Sequence, residues 1–396
     1  MIEVTHLKDT TDVNSPLYEG SLRACVEASG PRTCVFRVGG TIEIASPIIL
    51  KNPYITIAGQ TAPGGGITIK NHPSSRKAPF STFITHDVII RHIRFRPGPS
   101  EQLSGSLDAL SIYRSYNVIV DHVSTSWGVD GNLDLENGSY DVTVQWSMIS
   151  EALNCSSHEK GCHSTGMLLT GNVTNISLHH NLYAHNRTRV PRIEGGLIDI
   201  VNNVIYNPIA FPGVFRADSS ATSDIEVNYV GNYYKRGPIS STSYPVDIKK
   251  TNEFDPLIFL QGNRTKIRTD DTMDERLVLE EKRWVYVTPT RFDTPLISTT
   301  TADEAFNQVL AKAGATVPMR DAVDERIVND VKNKTGDIID DPSQVGGWPT
   351  LALGTPPADS DHDGMADTWE MSTFGTLSRG SATDSSSDFD SDGYTD

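Results

Sequence analysis

The chain has 396 residues with 50 acidic and 34 basic side chains, a formal net charge of −16 and 37% hydrophobic residues. That balance excludes a disordered chain and leaves no basic stripe to hold nucleic acid. No apolar run reaches the ~18 residues of a membrane-spanning helix; the composition suits a soluble globular protein, and a monomer is expected, built as one long repetitive domain with appendages or as two or three domains.

Met1-Ile2-Glu3 runs straight into strand-like sequence, with no visible leader. Ser21-Leu22-Arg23-Ala24-Cys25-Val26-Glu27 then reads as a short helix with Ser21 as its N-cap. Cys25 and Cys34 flank the turn that follows, and Cys155 and Cys162 bracket a loop further on. Neither spacing is C-x-x-C, so zinc and thioredoxin chemistry fit poorly. Two local disulfides fit better, against the alternative of four buried thiols.

Residues 55–230 repeat one pattern, apolar-x-apolar-x-Z. The instances are Val88-x-Ile90-x-His92, Val118-x-Val120-x-His122, Val142-x-Val144-x-Trp146, Ile176-x-Leu178-x-His180, Ile198-x-Ile200-x-Asn202 and Ile225-x-Val227-x-Tyr229. Alternation of period two means strands with one buried face. Z positions 30, 24, 34, 22 and 27 residues apart mean a coil of fixed size with loop insertions. Units of that kind make a solenoid. Without helical periodicity, and with His180-Asn181, Asn202-Asn203 and Asn228 recurring where coils would bend, the expected fold is all-β, a right-handed parallel β-helix. The short helix would cap its open N-terminal end.

The repeat fades after about residue 265. Segments 302–313 and 322–333 carry apolar residues at helical spacing (Phe306, Val309, Leu310 and Ala313; Val323, Ile327 and Val331) and are expected to pack back on the β-helix. The organisation read is a domain over 1–345, with repeats about 35–265 and a wrapping segment 266–345. A Gly/Pro-containing linker covers 346–358, and an acidic tail 359–396.

Three clusters carry chemistry. Asp108, Asp130 and Asp134 bracket the strand around 118–122, so they can meet on adjacent coils as oxygen ligands for Ca²⁺; the bland alternative is three solvated loop aspartates. Residues 179–192 hold three His and three Arg (Arg187, Arg189, Arg192) in an otherwise acidic chain, suited to carboxylate recognition unless they merely pair with surface acids. In the tail, Asp359, Asp361, Asp363, Gly364, Asp367 and Glu370 match the calcium loop D-x-D-x-D-G-x5-E at every position. A second copy begins at Asp388 and stops at its ninth position, Asp396, so it reads as a truncated loop.

At Gly20-Ser21-Leu22-Arg23, Val35-Phe36-Arg37-Val38-Gly39-Gly40-Thr41-Ile42, Val120-Asp121-His122, Asp141-Val142-Thr143-Val144-Gln145-Trp146-Ser147, His179-His180-Asn181 and Arg189-Val190-Pro191-Arg192, the chain resembles pectate lyases of polysaccharide lyase family 1. The resemblance covers about residues 20–240. It implies a right-handed parallel β-helix and Ca²⁺-dependent β-elimination of an acidic plant or algal polysaccharide, polygalacturonate above all. Arg189 occupies the place of the family's base, and Asp108, Asp130 and Asp134 that of its calcium acids. Arg192, Arg187, Lys160 and His163 are the substrate-binding candidates. Ser106 stands where many members carry a further acid, Glu194 where many carry a second arginine, and only Lys160 or His163 offers itself for the groove lysine. Disulfides, calcium loops and a polymeric substrate together point to secretion, a leader having been removed. A non-catalytic polysaccharide-binding β-helix and a β-helix glycoside hydrolase are the competing readings.

Overall fold

The computed structural model describes residues 1–361, apart from 218, 220 and 222, and residues 365–377. Its body is the expected right-handed parallel β-helix: three parallel sheets of eleven, eight and eight strands, eight coils giving one strand to each sheet and the eleven-stranded sheet carrying three more. The period-two pattern explains the register of the eleven-stranded sheet. Val88, Val118, Val142, Ile176, Ile198 and Val227 pair in one row, and Ile90, Val120, Val144, Leu178, Ile200 and Tyr229 in the next. Both rows point inward and are buried, forming the spine of the core.

That register moves one expected corner. Tyr229 lies opposite Ile200, so it is a core residue and not the bend. The bends are His92, His122, Trp146, His180, Asn202 and, in the next two coils, Gly231 and Gly262, all at left-handed φ between 46° and 66°. L-residues avoid this region, and glycine fills it without a Cβ penalty. Where the coil keeps a ring there, the rings stack: His92 on His122 (4.8 Å), His122 on Trp146 (6.1 Å) and Trp146 on His180 (4.3 Å between centroids).

One residue past the bend runs an asparagine ladder. The Oδ1 of Asn203 accepts from the backbone and side-chain amides of Asn181, Asn232 does the same for Asn203, and Asn263 for Asn232. Their Nδ2 groups also donate to the carbonyls of Val144, Leu178, Ile200 and Tyr229. Asn228, expected in this role, instead bonds the chain at Phe292 and Thr294.

The N-cap expectation holds. Helix Leu22–Glu27 starts at Ser21, whose Oγ accepts from the Ala24 amide, and buries Leu22, Cys25 and Val26 in the end of the core. Disulfides join Cys25 to Cys34 and Cys155 to Cys162. Helices Ala302–Lys312 and Ala322–Asn333 lie on one eight-stranded sheet, where Val309, Leu310, Ala313, Ile327, Val328 and Val331 pack on Met148, Leu182, Ala184, Val204 and Tyr206. These strands read as continuous apolar runs because both their faces are buried. The second helix is clamped by buried charge: Arg96 contacts Asp321 and Asp324, and Ser124 donates to Asp324.

Residues 346–358, expected as a linker, run along the body. Trp348 donates to the Arg96 carbonyl (3.0 Å), Gly39 and Gly65 donate to Leu353 and Ala352, and Arg37 to Pro357 (2.8 Å).

Candidate active-site groove

The remaining eight-stranded sheet keeps an open outer face. Leu110 and Ile112 point inward, so Ser111 and Tyr113 point outward; in the next strand Leu133 and Leu135 are core, and Asp134 and Glu136 face out. Parallel pairing aligns Ser81, Ser111, Asp134, Leu168 and Arg192 in one row and Phe83, Tyr113, Glu136 and Thr170 in a second. The sheet thus lines up, strand by strand, residues that are tens of positions apart in the chain.

Asp108 and Asp134 lie together on this face, and Asp130 is near enough for its charge to act on both. Asp108 accepts from the Gly131 amide (2.8 Å) and Asp134 from the Leu168 amide (3.0 Å). Burial, with the charges of Asp130 and Glu136, holds Asp108 well above the usual carboxylate range. Burial and the charges of Asp108, Asp130 and Glu136 do the same to Asp134. Gly131 sits between them: a Cβ there would come 2.8 Å from Asp134 Oδ1 and 3.1 Å from Asp108 Oδ1. The carboxylates therefore border a small space that glycine leaves open.

Asp130 behaves differently. Burial works to raise its pKa, but the close approach of His163 and the charges of His163, His158 and Arg189 outweigh it and hold the carboxyl below its ordinary value. Its Oδ1 lies 3.0 Å from His163 Nε2 and 3.4 Å from His158 Nε2. The two imidazoles are stacked, 3.9 Å apart and within 1° of parallel. Ligand atoms of all three residues lie within 4.8 Å of one another. Two parallel planes at that separation share no point, so one ion cannot lie on both lone-pair axes. The histidines brace Asp130.

The basic segment divides. Among the described residues the Arg189 guanidinium makes no hydrogen bond, and its charge reaches Asp130. Arg189 also sits at φ 58°, beside the Val190–Pro191 bond. Arg192, on the groove face two strands from Asp134, is paired with Glu194. Arg187 reaches Asn154 at 3.4 Å, away from the acids. Lys160 lies exposed on the disulfide-closed loop, its amide donating to His158 Nδ1. That loop docks on residues 100–104 through Ser157 and a bridge between Ser104 and His158, so it rims the groove.

Three groups were not picked out from sequence. Glu136 shares Asp134's face two residues on, a signal the strand period already carried. His158 is placed by the loop fold. Lys77 arrives from the preceding coil and donates to Ser106 Oγ (3.2 Å), and its charge opposes the rise at Asp108 and Glu136.

In the tail, the Asp359 carboxylate is buried 3.8 Å from Arg37, and Glu370 is fully buried on helix Asp367–Thr373. Both Asp361 oxygens are buried without a hydrogen bond among the described residues, while Asp367 accepts from Ser360. Asp363 and the second loop, Asp388 onward, lie outside the described residues.

The groove thus sets clustered acids and an arginine that makes no hydrogen bond among the described residues on one face of a parallel β-helix. The pectate lyase family pattern matches residues 66–244. "Probable pectate lyase C" of Aspergillus terreus is 36% identical over 376 residues, spanning 92% of this chain and 80% of that protein. The Aspergillus flavus protein of the same name is 35% identical over 383 residues, 95% and 84% of the two chains. Among solved structures, the cedar pollen allergen Jun a 1 superposes with a TM-score of 0.55 at 14% identity, covering 79% of this chain and 88% of its own. The thermostable pectate lyase PL 47 gives 0.54 at 15% identity, covering 80% and 92%. The chain belongs to the pectate lyase family.

Proposed function

We propose that the protein cleaves polygalacturonate-type chains by Ca²⁺-dependent β-elimination, releasing 4,5-unsaturated oligogalacturonides outside the cell. The observation that carries this is the pairing of two buried, mutually repelling carboxylates, Asp108 and Asp134, with an uncommitted arginine on the same groove. Oxygen-only donors around the space at Gly131 fit a hard divalent cation, with Asp130 as third ligand. Calcium held there would offset the charge of the substrate carboxylate and make the adjacent C–H more acidic.

The protein's own groups supply the rest. Arg189 removes the C5 proton, the C–H electron pair becomes the C4–C5 double bond, and the C4–O bond breaks, its oxygen taking a proton from water. Arginine is seldom available as a proton acceptor, because with an ordinary pKa above ~12 little of it is neutral near pH 7. An alkaline optimum follows. Arg192 and the loop residues Lys160 and His163 hold the uronate, with Arg187 at the loop's base. In the tail, Asp359, Asp361, Asp363, Asp367 and Glu370 hold a further Ca²⁺, a reading supported by the buried Asp361 carboxylate, which has no hydrogen bond among the described residues.

The test is ultraviolet absorbance during incubation with polygalacturonate. Absorbance rises with added Ca²⁺ and stops with chelator. Reducing ends without absorbance indicate a hydrolase, and binding with neither indicates an adhesin.

A further inference from the structure

The groove face changes character on one side of the acids. One strand away from Asp134 and Glu136, the outward residues are Ser111 and Tyr113; two strands away they are Ser81 and Phe83. At the ~4.8 Å spacing of hydrogen-bonded strands, this end begins about 5 Å from the acids and runs about 10 Å out. Neither row carries a charge there. Phe83 stacks on Tyr113 (5.3 Å between centroids, 11° between planes) and stays 39% exposed, beside Ile84 at 58% and Ile49 at 41%. Soluble proteins rarely leave aromatic and branched apolar side chains clustered in the open unless something covers them. In the opposite direction the face carries Arg192 and then, one strand further, Arg216.

We propose that Phe83 and Tyr113, with the Ser81 and Ser111 shelf beside them, form a distal subsite for a methyl-esterified uronate of the same polysaccharide chain. The inference rests on the lyase reading above and adds a substrate preference to it. Continuity with the groove names the occupant: a chain lying over Asp134 and Arg192 continues across Tyr113 and Phe83 along the same rows. Chemistry selects its form. A free carboxylate there would lie next to Glu136, whose hydrogen-bond partner Ser111 is neutral (3.2 Å); the charge of Lys77 reaches Glu136 from the side of Ser106, and neither row itself carries a cation. An ester removes that repulsion and gives the rings a methyl group and a C–H face to bury. The short serines leave the floor open while the aromatic pair forms a wall.

The experiment compares kcat/KM on polygalacturonate and on partly methyl-esterified pectin for the wild type and for Phe83→Ala/Tyr113→Ala. The double variant is expected to lose about five- to tenfold more on the esterified substrate than on the unesterified one. Phe83→Lys, which places a cation in the row, should shift the ratio the same way by gaining on polygalacturonate. Thermal melting of each variant separates misfolding from lost recognition. Equal losses on both substrates, or an unchanged ratio in both variants, overturn the subsite. Wild-type protein inactive on both substrates overturns the lyase reading, and this one with it.

Discussion

Two polar arrays run across the coils of this solenoid, and they are built on opposite rules. In the asparagine ladder every amide finds a partner one coil away, from Asn181 through Asn203 and Asn232 to Asn263. On the groove face, Asp108, Asp134 and Glu136 crowd like charges in a desolvated place, with backbone amides and a serine as partners. The first array stabilises the stack, because buried amides that are fully paired cost nothing and would cost much if orphaned. The second works against the stack, because like charges are held close together away from water. Satisfied polarity marks structure, and unsatisfied charge of one sign marks a site.

The contrast can be broken most sharply at Arg189. Arg189→Lys keeps the charge but loses the planar fork, and kcat should fall at least about 10²-fold if the residue is the base. Melting should not move. Near-native turnover in this variant would assign the proton transfer elsewhere, with His163 or Lys160 next in line.

A pair of substitutions tests the two arrays against each other. Asn203→Ala orphans the Asn181 amide and should cost roughly 1–3 kcal/mol of stability while leaving Ca²⁺ half-saturation alone. Asp134→Asn should do the reverse: without calcium the variant melts higher than wild type, because a repulsion is gone, while the calcium needed for activity rises. If both variants simply melt lower, the groove acids are ordinary structural carboxylates. Melting curves with Ca²⁺ and with chelator decide it.

The smallest effect is a pH dependence of the corner stack. Burial, with the nearby charges of His122 and Arg91, lowers His92 to about 4, and burial lowers His180 to about 4 as well. A depressed imidazole contributes stability that is present above its unfolded pKa of ~6.5 and is lost as pH falls through the folded value. Unfolding free energy should therefore decline between about pH 6.5 and 4. His92→Gln should flatten part of that slope; an unchanged slope would place the lability in other groups.

Much of this was legible from residue order. Period-two alternation identified the strands, and Asp108 and Asp134 border one space at Gly131, while Asp130 groups with His158 and His163. The register of the coil at 225–230 was not legible, because Tyr229 looks like a ring at a bend while it occupies the core row of Ile200. The glycine two residues later was the true signal, since only the bend needs its left-handed φ of 61°. At the site, Glu136 followed from the strand period, whereas the stacked histidines beneath Asp130 depend on how a disulfide-closed loop folds back on residues 100–104. Local pattern reports which face a side chain takes. It does not report what an insertion lays over that face.

The helices that cover Met148, Leu182 and Val204 lie more than a hundred positions further along the chain than Val204 in one case, and about a hundred in the other. A ribosome delivers the oily sheet well before its cover. At ~5–20 residues per second, that stripe waits several seconds, long enough to meet another nascent chain. The solenoid can wind coil by coil as it emerges, but it becomes safe to release only when helix Ala322–Asn333 has been made and Arg96 has found Asp321 and Asp324.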